Sequence, residues 1–314
     1  MSAMAAGSSA ARRVLPAGIR PARVLLHIFL IAMVVLWMFP LFWAIYSSLR
    51  PISDTIRNGY LSWPSGGLSL VNYRTVFVQA DLPYYYLNTL VVVVPGVILT
   101  LLLASMIAFA CTQFSWRFNL IVLMIFTAGN LLPPQVIIVP LYWLYLNTPV
   151  PMLGSIDLGK FSLAIFSDNN LLYDQYIGIT LIHVVFQTGF AAFVLSNYMK
   201  TISKEITESA IIDGAHVLRI WWNIILPLCR PALAAMATLL FTFMYNDFFW
   251  ALVLISHGDK RPITSALNNL QGEFFVNNNL IAAGALLAAL PPILVFIALQ
   301  KHFIAGLTLG STKG

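Results

Sequence analysis

Residues 203 to 215 read Ser203-Lys204-Glu205-Ile206-Thr207-Glu208-Ser209-Ala210-Ile211-Ile212-Asp213-Gly214-Ala215, and the chain continues to Ile224-Ile225-Leu226-Pro227. These residue types suit docking better than bond making. Glu208 and Asp213 flank small side chains, a knob that fits a protein pocket and would be repelled by anionic lipid. A second polar group lies at Tyr245, Asn246, Asp247 and Trp250, inside a long apolar run. Hydrogen-bonding tips beside aromatic faces could hold a polar solute. An acid in an apolar span is costly and points to function. With His183 it could also carry protons; the plainer reading has Asn246 and Asp247 capping or packing between helices and His183 hydrogen-bonded at a helix contact. Asn130, Gln187 and Thr188 are further polar candidates in apolar runs. Glycoside hydrolysis needs paired carboxylates, and only Asp247 falls within a span. No HExxH or Ser-His-Asp pattern is present, no metal site is expected, and no glycine-rich phosphate loop occurs.

The elements that must position these groups are membrane spans. Apolar residues make up 60% of the 314-residue chain and charged residues 9%, against about 25% charged in soluble domains. About 20 apolar residues cross a bilayer as a helix. Six runs qualify: 24–46, 88–112, 118–146, 176–198, 227–255 and 280–304. Pro133, Pro134 and Pro140 must break or kink the third. With the N-terminus inside, 11 of the 17 basic residues fall on the inner side, and most acids fall outside. Both termini are therefore expected in the cytoplasm. The net charge of +6 is an inner basic face, not a nucleic-acid surface. The expected organisation is a cytoplasmic tail (1–23), a six-helix domain (24–304) with a loop at 199–227, and a second tail (305–314).

Arg12, Arg13, Arg20 and Arg23 precede the first run without an acid, as in a signal peptide. The run that follows is longer than a signal core of about 7–15 residues, so an uncleaved first span is expected. Cys111 and Cys229 lie at inner span ends, where a disulfide is disfavoured.

Within loop 199–227, Ser203 is a plausible N-cap, and Glu205 suits the positive end of the helix dipole. Ile206, Ala210 and Ile211 form an expected apolar stripe. Gly214 falls where a helix end needs positive φ. A second stretch places Val217, Leu218, Trp221, Trp222 and Ile225 on its expected apolar side, with Leu226-Pro227 ending it. An interfacial helix anchored by Trp221 and Trp222 is the competing reading.

Glu208 to Ala215, followed by Ile224 to Pro227, resembles the coupling motif of ABC-importer permeases. Asn88-Thr89-Leu90 and the segment from Tyr245 to Trp250 also resemble that family. The tail from Gln300 to Gly314 is similar to the carbohydrate-uptake branch, the smaller maltose-type permeases. Ser203 and Ser209 depart from the family's usual Pro and Ala. The segment 149–174, with Asp157, Lys160, Asp168, Asn169, Asn170 and Asp174, is longer than usual there.

The resemblance implies an all-α type I importer permease in the cytoplasmic (inner) membrane. It implies a second permease subunit, giving a heterodimer, two ATPase subunits, and an extracytoplasmic substrate-binding protein. It implies a carbohydrate substrate, and ATP and Mg on the ATPase with no cofactor in this chain. Glu205, Glu208, Ser209, Ala210, Asp213, Gly214 and Ala215 would form the coupling contact. Leu307, Thr308, Gly310 and Lys313 would reach toward the ATPase. Asn130, Gln187, Tyr245, Asn246, Asp247 and Trp250 would be translocation-path candidates. The competing functions are a proton-coupled secondary transporter using Asp247 and His183, and an intramembrane enzyme.

Overall fold

The computed structural model describes residues 21–129, 133–159, 161–270 and 276–308. Its frame is helical: α1 (Pro21–Ser48), α2 (Leu82–Gln113), α3 (Asn119–Gly129), α4 (Pro134–Asn147), α5 (Tyr176–Met199), α6 (Lys204–Ile212), α7 (Val217–Leu228), α8 (Arg230–Tyr245), α9 (Phe249–Leu254) and α10 (Asn278–Thr308). Four of them, α1, α2, α5 and α10, are long and apolar enough to cross a membrane. Two bent pairs raise the number of spans to six: α3 with α4 at 89°, and α7 with α8 at 80°.

The centre is the α2–α5 pair, the most extensive helix contact. Its meeting faces are small: Ala104, Ser105, Ala108, Ala191, Ala192 and Ser196 are all buried. In lipid, apolar transfer does not drive helices together, so close backbone approach through small residues does. Two buried hydroxyls of α5 are satisfied within their own helix. Thr188 donates to the Val184 carbonyl at 2.6 Å, and Ser196 to the Ala192 carbonyl at 2.7 Å. Helix α8 joins through Met236, Leu240 and Met244, and α10 packs along α8. Helix α1 is peripheral: none of its most apolar stretch is buried, against 56% for α5.

The fifth expected run, 227–255, is not one helix. It starts at Arg230 after a turn at Cys229 and stops at Tyr245, and α9 follows three residues later. Pro227 and Pro231 bracket the first break. Each lacks a backbone N–H and restricts the residue before it.

The segment after α4 adds a feature that the helical periodicity did not reveal. Strands β1 (Met152–Leu158) and β2 (Phe161–Phe166) form an antiparallel hairpin, with Ile156 opposite Leu163 and Asp157 opposite Ser162. Phe161 packs edge-on against Tyr84, which docks the hairpin on the start of α2. At the start of α5, Gly178 must be glycine, because a Cβ there would lie 2.6 Å from the Leu172 carbonyl oxygen. The Tyr145 hydroxyl donates to the Gly178 carbonyl at 2.8 Å, pinning α4 to α5.

Candidate functional site

Helix α6 starts where its sequence allows. The Ser203 hydroxyl accepts from the Glu205 amide at 3.3 Å, and Glu205 sits in the first turn. It ends in a Schellman turn. The Ala215 amide donates to the Ala210 carbonyl and the Gly214 amide to the Ile211 carbonyl, both at 3.0 Å, with Gly214 at φ +78°. One face is fastened to the bundle. The Thr207 hydroxyl donates to Gln113 Oε1 at 2.9 Å, and Gln113 Nε2 donates to the Met199 carbonyl at 3.2 Å. A single glutamine at the end of α2 thus ties α5 and α6 together. The opposite face is open: Glu205, Glu208 and Ser209 are exposed, and Ile212 is 84% exposed.

The expected stripe of Ile206, Ala210 and Ile211 is corrected here. Thr207 and Ala210 face inward, while both isoleucines are exposed. Small side chains let α6 lie against the helix ends, and the buried hydrogen bond to Gln113 fixes its rotation. In α7, Ile220, Trp221 and Ile225 are buried, whereas Val217, Leu218 and Trp222 are exposed. A π-helical turn at Trp221–Ile225 shifts the register away from the regular amphipathic pattern.

The polar break at Asn246–Phe248 caps helices. Asp247 Oδ1 accepts from the Trp250 amide and Oδ2 from the Ala251 amide, both at 3.2 Å, so its carboxylate starts α9. His183 Nε2 lies 3.5 Å from Asp247 Oδ2. Tyr245 is buried, and its hydroxyl donates to the Ala288 carbonyl at 2.8 Å. Trp250 is buried beside Phe186 and Phe249. Tyr245 and Trp250 are therefore packed between helices within this chain. The apolar run around them gave the sequence no way to tell packing from lining.

At the far end of α5 a second polar lattice holds the loops. Asn88, fully buried, donates to the Asp259 and Arg261 carbonyls at 2.6 and 2.9 Å and accepts from the Tyr176 hydroxyl at 2.9 Å. The Thr89 hydroxyl accepts from the Ile263 amide at 2.8 Å. Asp174 accepts from the Ser256 and His257 amides and pairs with the His257 ring. Lys260 bridges Asp168 at 2.6 Å and Asp174 at 3.5 Å. Burial pushes the Asp174 carboxyl up, but the His257 and Ser256 hydrogen bonds and the Lys260 charge outweigh it and hold the carboxyl below its ordinary value of 3.8.

The family described as binding-protein-dependent transport system inner membrane component matches residues 96–308. The chain belongs to this family. It is a membrane permease component, distinct from an ATPase component, of a binding-protein-dependent ABC importer. Over 294 residues it is 27% identical to the osmoprotective compounds uptake permease protein of Synechocystis sp., covering 92% of this chain and 91% of that one. Over 247 residues it is 33% identical to the alpha-glucoside transport system permease protein of Rhizobium meliloti, covering 78% of this chain and 60% of the longer relative. A crystal structure of a bacterial ABC transporter involved in the import of the acidic polysaccharide alginate shares the fold. Its TM-score is 0.71 at 20% identity, over 90% of this chain and 96% of that chain.

In this permease the seven residues named for coupling all lie on α6 or its glycine turn. Ala210 points inward and the acids point outward. Sequence reasoning missed Gln113 and Thr207. The signal was a threonine three residues before Ala210, on the face that the isoleucines were expected to fill. Asn246 is exposed and donates to the Thr242 carbonyl at 2.9 Å. Gln187 is half-buried, and Thr188 bonds only within α5. Leu307 and Thr308 lie in the last turn of α10. Asn130, Gly310 and Lys313 lie outside the described residues. Among the described residues no cluster of His, Cys, Asp or Glu could hold a metal ion.

Proposed function

We propose that this permease imports a carbohydrate, anywhere from a monosaccharide or related polyol to an oligosaccharide, through a path shared with a second permease subunit as a heterodimer. It lies in the cytoplasmic membrane with both termini inside. Two ATPase subunits hold the ATP and magnesium; this chain holds no cofactor and catalyses no reaction itself. An extracytoplasmic binding protein delivers the sugar to the end of the bundle that carries Asn88 and the β-hairpin. Support for a sugar comes from the alpha-glucoside and alginate systems named above.

Support for the mechanism rests on one observation: α6 is fixed on one face and open on the other. Glu205, Glu208, Ser209 and Ile212 are exposed, while Thr207 is 1% exposed and bonded to Gln113. A helix held in this way moves as a unit with α2 and α5. When ATP closes the ATPase dimer, α6 follows the groove it occupies and carries the α2–α5 pair, opening the path outward. Hydrolysis reverses the movement. In this reading Asp213, Gly214 and Ala215 keep the knob compact. Leu307, Thr308, Gly310 and Lys313 form a tail directed at the ATPase. Asn130, Gln187, Asn246 and Asp247 are the polar groups left near a path.

The test is purification of the tagged chain in mild detergent, followed by ATP-driven sugar uptake in vesicles. Ile212→Asp on the open face is expected to lose the ATPase while the chain still inserts. Full retention of the ATPase and of uptake by that variant would reject α6 as the docking element.

A further inference from the structure

Beside α6 a groove of about 500 Å³ opens between the end of α2, the loop to α3, and the end of α5. Arg117, Lys200 and Lys204 line it together with Asn119, and no carboxylate does. Among the described residues none of the three cations forms an ion pair. Arg117 lies over the Phe118 ring at 4.5 Å but has no carboxylate partner among the described residues, and three positive charges without counter-charges around one cavity attract an anion. Trp116, on the rim, is 57% exposed, and tryptophan settles at the headgroup level of a bilayer. Within about two helical turns of the groove, Met106 on α2 and Leu120 and Met124 on α3 are exposed apolar side chains. Cations above an apolar flank match a phosphate headgroup above its acyl chains.

We propose that this groove binds the phosphate of an anionic phospholipid of the inner leaflet, beside the base of α6. The proposal rests on the orientation given above. Gln113 lines the same groove and holds Thr207, so a seated headgroup touches the joint that fixes α6 to the bundle. Each basic residue near an anionic surface contributes about fivefold in affinity, so removing two costs about 25-fold.

The experiment uses the purified complex with its ATPase, titrated with phosphatidylglycerol or phosphatidylcholine and read by native mass spectrometry. Wild type is expected to retain phosphatidylglycerol preferentially, without displacement by inorganic phosphate. Arg117→Gln/Lys200→Gln is expected to lose that preference, and Arg117→Lys, which keeps the charge, to retain it. Thermal unfolding checks that each variant is folded. An unchanged preference in the double variant overturns the proposal. Full displacement by inorganic phosphate also overturns it, since the site would then be a phosphate site. Loss of the ATPase from the double variant overturns it as well, since the groove would then be an ATPase contact. Orientation is tested separately, by impermeant thiol labelling of Thr201→Cys with Cys111→Ala and Cys229→Ala. Labelling from outside alone would reject the orientation whatever the lipid result.

Discussion

Thr207 and Gln113, 94 residues apart in sequence, meet at 2.9 Å in the buried joint between α6 and the end of α2. Thr207→Val keeps the shape and leaves Gln113 Oε1 without its donor. A buried acceptor left unpaired costs about 1–3 kcal/mol. The expected outcome is a folded complex in which ATP hydrolysis continues but drives less uptake. Hydrolysis and uptake measured on the same vesicles check it.

Gly214 sits at φ +78°, and a Cβ placed there meets nothing within 4 Å. Within the chain itself the cost of substitution is therefore backbone strain, about 1–2 kcal/mol for an ordinary L residue. Gly214→Val is expected to impair uptake strongly. Gly214→Asn, which tolerates this region, should retain most of it. Equal activity of the two variants would rule out the conformational explanation.

Asn88 satisfies two buried carbonyls and the Tyr176 hydroxyl at once. Asn88→Leu strands all three, for an expected loss of about 2–4 kcal/mol if the vacated groups stay dry. Tyr176→Phe removes only one bond and should cost about 1 kcal/mol. Thermal unfolding of the two variants in detergent orders them.

The Asp174 carboxyl is held below 3.8 in the folded chain, with burial opposing and the His257 and Ser256 hydrogen bonds and Lys260 prevailing. A depressed folded pKa means that its stabilisation is fully present above the unfolded value near 3.8. It is lost as pH falls through the folded value. Asp174 has φ +62°, which asparagine accepts, so Asp174→Asn removes the charge and the acceptor facing the His257 ring and Lys260 without straining the backbone. Wild type should lose its advantage over this variant only in the acid range below about 4. Unfolding temperatures measured across that range check it.

Asp247 starts α9 through the Trp250 and Ala251 amides. Asparagine keeps one of these two acceptors, whereas alanine loses both at about 1 kcal/mol. Asp247→Asn should therefore keep transport and Asp247→Ala should weaken the fold. Abolished uptake in a folded Asp247→Asn protein would revive a charge-dependent role for this side chain.

The sequence by itself determined the membrane class, the positions of the four unbroken spans, the glycine turn at Gly214 and the Ser203 cap. These depend on run length, φ preference and neighbours within a few residues. Tertiary structure decided which side of α6 faces the bundle, because Gln113 lies on another helix and its bond to Thr207 outweighs the local pattern of isoleucines. It also decided that Tyr245 and Trp250 pack, and that Asp247 caps a helix in the middle of an apolar run. The same residues could face a path or a neighbour, and only the packed partners fix which. Asn88 shows both levels at once. Its place at the start of a span is local, but its work, holding the carbonyls of Asp259 and Arg261, is done across more than 170 residues of chain.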